Sequence, residues 1–350
     1  MMKSLVKYDR IDKAIEVRDL PEPGPIRPDQ VLLAVQAVGV CGSDIHLWHE
    51  HQSWEIKLPL VLGHEYSAIV KEVGAAVSGF AVGDRVVCET AAQVCGKCVY
   101  CLSGNYNLCP HRLGYGNLID GALTDYVVAR PQILHHIPDN VSFEHAALTE
   151  PICVAVNALV EKSTIKPGDT VAIQGPGPIG MMALQVAKLN GAGTLIMLGT
   201  DVDEHRLEVA ASLGADYAIN VQREDPMDLI RSLGDGFGVD LVVDCTGASI
   251  ALKQAMQMVR PNGTITKIGW GPQPLGFNLD PLVGKAVTLQ GSFSHTYATW
   301  ERVLKLISSG LIDLTPVVGG VYGLDEWEEA FTRMEAGHNV KSVIKIGAKV

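Results

Sequence analysis

No stretch of 18 uninterrupted apolar residues occurs, so no segment reads as a membrane-spanning helix. Positive charge is in short supply. The chain has 28 Lys and Arg against 39 Asp and Glu, a formal charge of −11, and no basic stripe offsets the excess. That balance disfavours nucleic acid and anionic membrane surfaces as partners. Aromatic residues make up only 6% while glycines number 36, so tight turns and close backbone approaches are expected. Met1-Met2-Lys3-Ser4 leads into alternating, strand-like sequence without a secretory leader, so a cytoplasmic address is expected. Neither an internal repeat nor a low-complexity tract is present. What remains is a 350-residue chain, 47% hydrophobic, which is too long for one typical core and suits two domains.

Cysteine is the first positive signal. Four of the eight cysteines, Cys95, Cys98, Cys101 and Cys109, fall in one 15-residue stretch with spacings x2, x2 and x7. In a reducing compartment disulfides would not persist, and such a cluster reads as metal binding. Four thiolates close a tetrahedron around Zn²⁺ with no open position, which makes the site structural. An iron–sulfur cluster and a set of buried free thiols are the alternatives. Cys88, Cys153 and Cys245 sit in apolar runs and read as small core residues.

The pattern of the chain changes near residue 153. Before it, short runs such as Val31–Gly39, Ser67–Gly74 and Asp84–Cys88 read as strands separated by Gly and Pro. After it, strand-type and helix-type runs alternate. They begin with Thr170-Val-Ala-Ile-Gln and continue through Leu195–Leu198, Glu204–Leu213 and Asp240–Asp244 to Thr264–Gly269. Such alternation predicts a parallel sheet covered on both faces. A long helix over Thr299–Ser308 and a last strand from Ser342 follow.

Gly175-x-Gly177-x-x-Gly180 follows a predicted strand and opens a predicted helix, the context of a dinucleotide site. Gly175 permits the tight turn, Gly177 lets backbone approach a pyrophosphate, and Gly180 allows helix to pack on strand. The helix N-terminus then offers N–H groups to the phosphates. The next strand ends Leu198-Gly199-Thr200-Asp201. An acid reaching the ribose hydroxyls from Asp201 would prefer NAD. If Gly199 holds the strand-end position instead, the 2′-phosphate of NADP would fit beside Thr200 and Arg206. NAD is the favoured reading, with Arg206 either over the adenine face or a solvated helix charge.

Cys41-Gly-Ser43-Asp-Ile-His46 and Gly63-His64-Glu65 bring together a thiolate, an imidazole and a carboxylate, all suitable Zn²⁺ ligands. Spacing alone leaves a core His64, a surface Glu65 and an ordinary buried Cys41 open. These two motifs, the four-Cys loop, Glu150-Pro151 and Gly175-Pro-Gly-Pro-Ile-Gly180 occur in that order. Together they resemble the zinc-containing medium-chain dehydrogenase/reductase family, and within it the sorbitol (polyol) dehydrogenase branch, over essentially the whole chain.

The resemblance implies an α/β protein with a GroES-like β-barrel catalytic domain and a doubly wound Rossmann sheet. Residues 1–152 and 292–350 would form the catalytic domain and 153–291 the coenzyme domain. Cys41, His64 and Glu65 match the catalytic zinc ligands, and Glu150 a carboxylate that meets the metal directly or through its water. Ser43 and His46 match the proton relay of alcohol dehydrogenases. Cys95, Cys98, Cys101 and Cys109 match the structural zinc lobe. Ile179, Asp201, Arg206, Gly269, Ser292, Phe293 and Ser294 match NAD-contacting positions.

The implied activity is oxidation of a secondary alcohol in a polyol or sugar-like substrate with NAD(P). A threonine or butanediol dehydrogenase is the alternative, and an NAD(P)H-binding structural protein the non-enzymatic one. Two departures bear on the substrate: Ser294-His295 stands where the branch commonly has Arg-Tyr, and Leu47 where it has Tyr. Trp48, His49, Glu50, His51 and Trp54 are expected to form a different, polar and aromatic pocket rim, or else a surface loop. A homotetramer is implied as the assembly.

Overall fold

Short β-branched runs broken by Gly and Pro dominate the first 140 residues, and in the computed structural model, which describes residues 1–350, they become eight strands. These are β1 (Met2–Lys7), β2 (Ile15–Leu20), β3 (Val31–Gly39), β4 (Leu60–Val61), β5 (Glu65–Val73), β6 (Arg85–Cys88), β7 (Tyr126–Ala129) and β8 (Leu134–His136). The strictly alternating half then yields β9 (Thr170–Gln174), β10 (Thr194–Gly199), β11 (Tyr217–Asn220), β12 (Val239–Asp244), β13 (Val259–Lys267) and β14 (Thr288–Gly291). The chain returns with β15 (Val318–Gly323) and β16 (Lys341–Lys345).

The middle six strands form one parallel sheet in the order β11-β10-β9-β12-β13-β14. Helices Pro178–Leu189, Glu204–Ser212, Pro226–Ile230, Ser249–Met258 and Asp280–Gly284 connect successive strands, as parallel pairing requires. The order reverses between β9 and β12, and a ligand crevice is expected outside the strand ends there. β13 begins five residues before the run read from sequence, because Pro261-Asn262-Gly263 is absorbed as an irregularity with Asn262 at φ 60. The exposed strand β14 and the glycine-rich β15 carry too weak an apolar alternation to be read in advance.

The other strands make a three-stranded sheet, β2-β1-β4, and a seven-stranded one, β15-β16-β3-β5-β6-β8 with β7 also on β3. The two halves share a core. Helix Tyr297–Ser308 buries Thr299, Trp300, Val303, Leu304 and Ile307, an i, i+1, i+4, i+5, i+8 stripe. That face joins a cluster containing Ala37 and Val87 of the seven-stranded sheet and Ile173, Met181 and Val243 of the parallel sheet and its first helix. No helix is long and apolar enough to cross a membrane.

Candidate active site

Strand register assembles the first part of the site. Gly39, the last residue of β3, lies opposite Glu65, the first of β5, and opposite Val343 of β16. The chain leaving β3 therefore places Cys41 beside His64, which immediately precedes β5. One ligand atom each of Cys41, His64 and Glu65 lies within 4.8 Å of the others. Asp44, buried in the helix Gly42–Trp48, fixes both segments. One carboxylate oxygen accepts from the Cys41 N–H at 2.9 Å and the other from the Gly63 N–H at 3.3 Å. Lys341, the first residue of β16, forms a fully buried ion pair with Glu65. The pair passes over Gly39, where a Cβ would lie 2.5 Å from Glu65 Oε2 and 2.9 Å from Lys341 Cε.

The electrostatics follow from these contacts. Burial alone would lower the His64 pKa, but the charge and hydrogen bond of Cys41, with Asp44 and Glu150, push it up to about 10. Burial also opposes a charged Lys341, yet Glu65, Cys41 and Glu150 together raise its pKa above the ordinary lysine value. A thiolate, an imidazole and a carboxylate converging at this spacing suit Zn²⁺ with one position open. Lys341 offsets one of the two anionic donors.

Glu150 lies on the same cavity wall but outside the three-ligand group. Its Oε1 is 3.2 Å from His295 Nε2. The Trp300 indole N–H donates to His295 Nδ1 at 2.7 Å, so Nδ1 is the acceptor and the proton resides on Nε2, facing Glu150. Burial would raise the Glu150 carboxyl, but the hydrogen bond from His295, with the charges of His64 and Lys341, brings it below the ordinary value. Sequence reading registered His295 only as a missing tyrosine.

These groups line a cavity of about 400 Å³ that also reaches Gly175, Gly177, Ile179 and Gly180, then Gly269, Ser292, Phe293 and Ser294. Gly175 adopts φ 88 and packs against Thr246, so a side chain there would be strained and crowded. Gly177 caps the 12-residue helix Pro178–Leu189, and a Cβ on it would meet nothing within 4 Å. An open approach to unpaired helix N–H groups fits a pyrophosphate. Ser43 and His46 line the cavity too, without a hydrogen bond to each other. Burial, with His51 and His49 nearby, lowers the His46 pKa.

Gly199, Thr200, Asp201 and Arg206 do not line this cavity but lie at and beyond the end of β10, with Gly199 against Pro176 of the glycine turn. Thr200 donates to Asp203, and Asp201 Oδ1 accepts from Asn220 (2.7 Å) and Arg223 (2.8 Å). Arg206 is spent elsewhere. Its guanidinium donates to Asp203 and to the carbonyls of Met334 and Asn339, so it is not a solvated charge.

Two further expectations change. Of the residues expected at the rim, only Trp54 lines the cavity. Trp48 is buried against Trp327 and Phe331, His49 is tied to Asp12 and Glu335, and Glu50 pairs with buried Lys7. The aromatic wall is instead Trp54, Trp270 and Phe293, in successive edge contacts of 6.0 and 5.9 Å. Cys88 and Cys153 are core residues, but Cys245 is half-buried and lines the cavity.

The four-Cys loop folds on itself. Sγ–Sγ separations of 3.6 Å (Cys98–Cys101) and 3.9 Å (Cys95–Cys101) are too long for disulfides. They match the roughly 3.8 Å edge of a tetrahedron with ~2.3 Å zinc–sulfur bonds. Backbone N–H groups of Lys97 and Cys98 lower the Cys95 pKa to about 6, which favours the thiolate a metal needs.

Comparison with known proteins agrees with this geometry. Residues 27–139 match the alcohol dehydrogenase GroES-like domain and residues 178–309 the zinc-binding dehydrogenase family. The chain is 41% identical to a sorbitol dehydrogenase of Halalkalibacterium halodurans, over 98% of this chain and 99% of the relative. It is 39% identical to a D-arabitol-phosphate dehydrogenase of Enterococcus avium, over 91% and 90%. A zinc-binding dehydrogenase from Sinorhizobium meliloti, solved bound to NADP, superposes with a TM-score of 0.89 at 29% identity, covering 99% of both chains.

Proposed function

The chain belongs to the zinc-containing medium-chain dehydrogenase/reductase family, and on that premise we propose that it oxidises a secondary hydroxyl of a polyol or sugar-like substrate to a ketone, with NAD(P) as the partner. The observation that carries this reading is the Cys41–His64–Glu65 cluster on the wall of a cavity whose far side is the Gly175–Gly180 turn. Two relatives named for polyol substrates support the substrate class.

In this reading Cys41, His64 and Glu65 hold the catalytic zinc, and Cys95, Cys98, Cys101 and Cys109 hold a structural one. When bound, the metal supplies Lewis-acid polarisation of the substrate hydroxyl and the dinucleotide takes up hydride. The chain's own groups do the rest. Glu150, kept ionised by His295 Nε2–H, accepts a proton released in the cavity. Ser43 and His46 border the same space as a second proton route. Trp54, Trp270 and Phe293 keep water from the reacting centre. Asp201 sets a carboxylate at the end of β10, which repels a 2′-phosphate and favours NAD.

The division into 1–152 with 292–350 and 153–291, a cytoplasmic address and a homotetramer belong to the same proposal. None of the eight cysteines is in a disulfide, in keeping with a reducing compartment. The test is an initial-rate screen of polyols, diols, threonine and primary alcohols with NAD and NADP, together with metal analysis. Polyol turnover and about two zinc per chain, one per site, are expected. Turnover of primary alcohols alone would overturn the reading.

A further inference from the structure

One cation on the cavity wall has no task in the reaction just described. Arg112 follows the four-Cys loop directly and lines the cavity together with Thr90, Asn117, Glu150 and Phe293. The only other Lys or Arg there, Lys341, is paired with Glu65. Arg112 has no carboxylate within ion-pair distance; burial lowers its pKa, and Glu150 and Glu89, acting from further off, do not make up for that. Its guanidinium makes one hydrogen bond, from Nη2 to Thr90 Oγ1 at 2.8 Å, and stands 5.4 Å from the centre of the Phe293 ring. Nε is buried without a partner, and Nη1 bonds to nothing in the protein.

A guanidinium stays charged at any physiological pH and carries five donors. Enclosing one with a single neutral partner is costly unless an anion arrives to compensate. In a chain with 39 acidic residues, a partner carboxylate would have been the ordinary solution. Thr90 also locates the guanidinium relative to the chemistry. Its Oγ1 lies 3.5 Å from His295 Nε2, the atom that faces Glu150. The unpaired end of Arg112 is therefore in the substrate compartment rather than on the path of the coenzyme phosphates at Gly175–Gly180.

We propose that the substrate carries an oxyanion, a phosphate ester or a carboxylate, beyond the carbon that is oxidised, and that Arg112 receives it. This rests on the dehydrogenase reading above and narrows its substrate class to hydroxylated chains with an anionic end. The planar fork suits such oxygens in paired hydrogen bonds, and the Phe293 ring braces its face. Ser43 and Asn117 remain for the uncharged hydroxyls.

The test uses matched sets: a pentitol and a hexitol, their terminal phosphates, and the corresponding aldonates. The zinc-loaded enzyme, Arg112→Met and Arg112→Lys are compared by kcat/KM and by titration of each compound into the NADH complex, read by coenzyme fluorescence. Wild type should favour one anionic class over the neutral polyol by about 30-fold or more. Arg112→Met should lose most of that preference and Arg112→Lys recover part of it. Whichever anion shows the larger ratio identifies the source. Equal treatment of neutral and anionic members by wild type refutes the inference while leaving the polyol reading intact. So does an equal loss on all of them in Arg112→Met, which would make Arg112 a counter-charge to Glu150. If no alcohol is turned over, the dehydrogenase reading fails and the titrations still decide the role of Arg112. A Met variant that does not fold leaves the wild-type and Lys ratios to decide.

Discussion

Gly39→Ala is a one-methyl change that should empty the catalytic metal site. The added Cβ would lie 2.5 Å from Glu65 Oε2 and 2.9 Å from Lys341 Cε. Gly39 is not among the positive-φ glycines, so the backbone tolerates alanine and the penalty is a collision. Both side chains are fully buried and neither can swing into water. Separating a buried ion pair costs about 3–5 kcal/mol. Reduced freedom of the unfolded chain returns about 0.4–1 kcal/mol. The net expectation is a loss of about 2–5 kcal/mol, with Glu65 pulled out of the ligand group. Urea unfolding of the metal-loaded protein gives the stability term, and metal analysis after dialysis gives the site term. Zinc should fall by one per chain while the four-Cys site keeps its ion. Gly24→Ala, where a Cβ would meet nothing within 4 Å, is the control. Retention of both ions, with stability within about 0.5 kcal/mol of wild type as at ordinary surface positions, would show that the ion pair over Gly39 does not organise the site.

Three other outcomes are expected. Asp44→Ala leaves the buried N–H groups of Cys41 and Gly63 without an acceptor, at about 1–3 kcal/mol each; a chelator should strip one zinc faster than from wild type, and unchanged release would count against the bridging role. His295→Leu removes the donor that helps to hold the Glu150 carboxyl below its ordinary value. With burial then opposed only by His64 and Lys341 its pKa rises, so the acid limb of the pH–rate profile should move to higher pH; an unmoved limb would remove Glu150 from proton transfer. Asp201→Ala removes the carboxylate and frees Arg223, so the ratio of kcat/KM for NADP over NAD should rise at least about tenfold; an unchanged ratio would place the ribose elsewhere.

The parallel sheet was legible because its signals are local. Thr170–Gln174 and Glu204–Ser212 announce themselves by apolar runs and periodicity within ten residues, and the glycine turn by its spacing. The three proposed metal ligands were legible as residue types, and their meeting depended on the register of β3 with β5. Lys341, His295 and Arg112 were not. Lys341 and His295 act on Glu65 and Glu150, which are remote in sequence, and Arg112 matters through having no charged partner, so nothing local marks them. The segment Trp48–Trp54 misled for the converse reason. Aromatic and polar residues side by side look like a sugar-binding rim, but here Trp48 fills a core with Trp327 and Phe331 and its neighbours make ion pairs.

The position of β16 beside β3 also sets a timetable. Glu65 emerges early in synthesis, and the ammonium that balances it belongs to residue 341. At about 5–20 residues per second, close to a minute at the slower limit separates the two during translation. The nascent N-terminal half must therefore carry a thiol, an imidazole and an unbalanced carboxylate through most of elongation. On the proposed assignment, the balanced three-ligand centre is expected only after synthesis is complete, whereas the four-Cys loop spans 15 residues and needs no such distant partner.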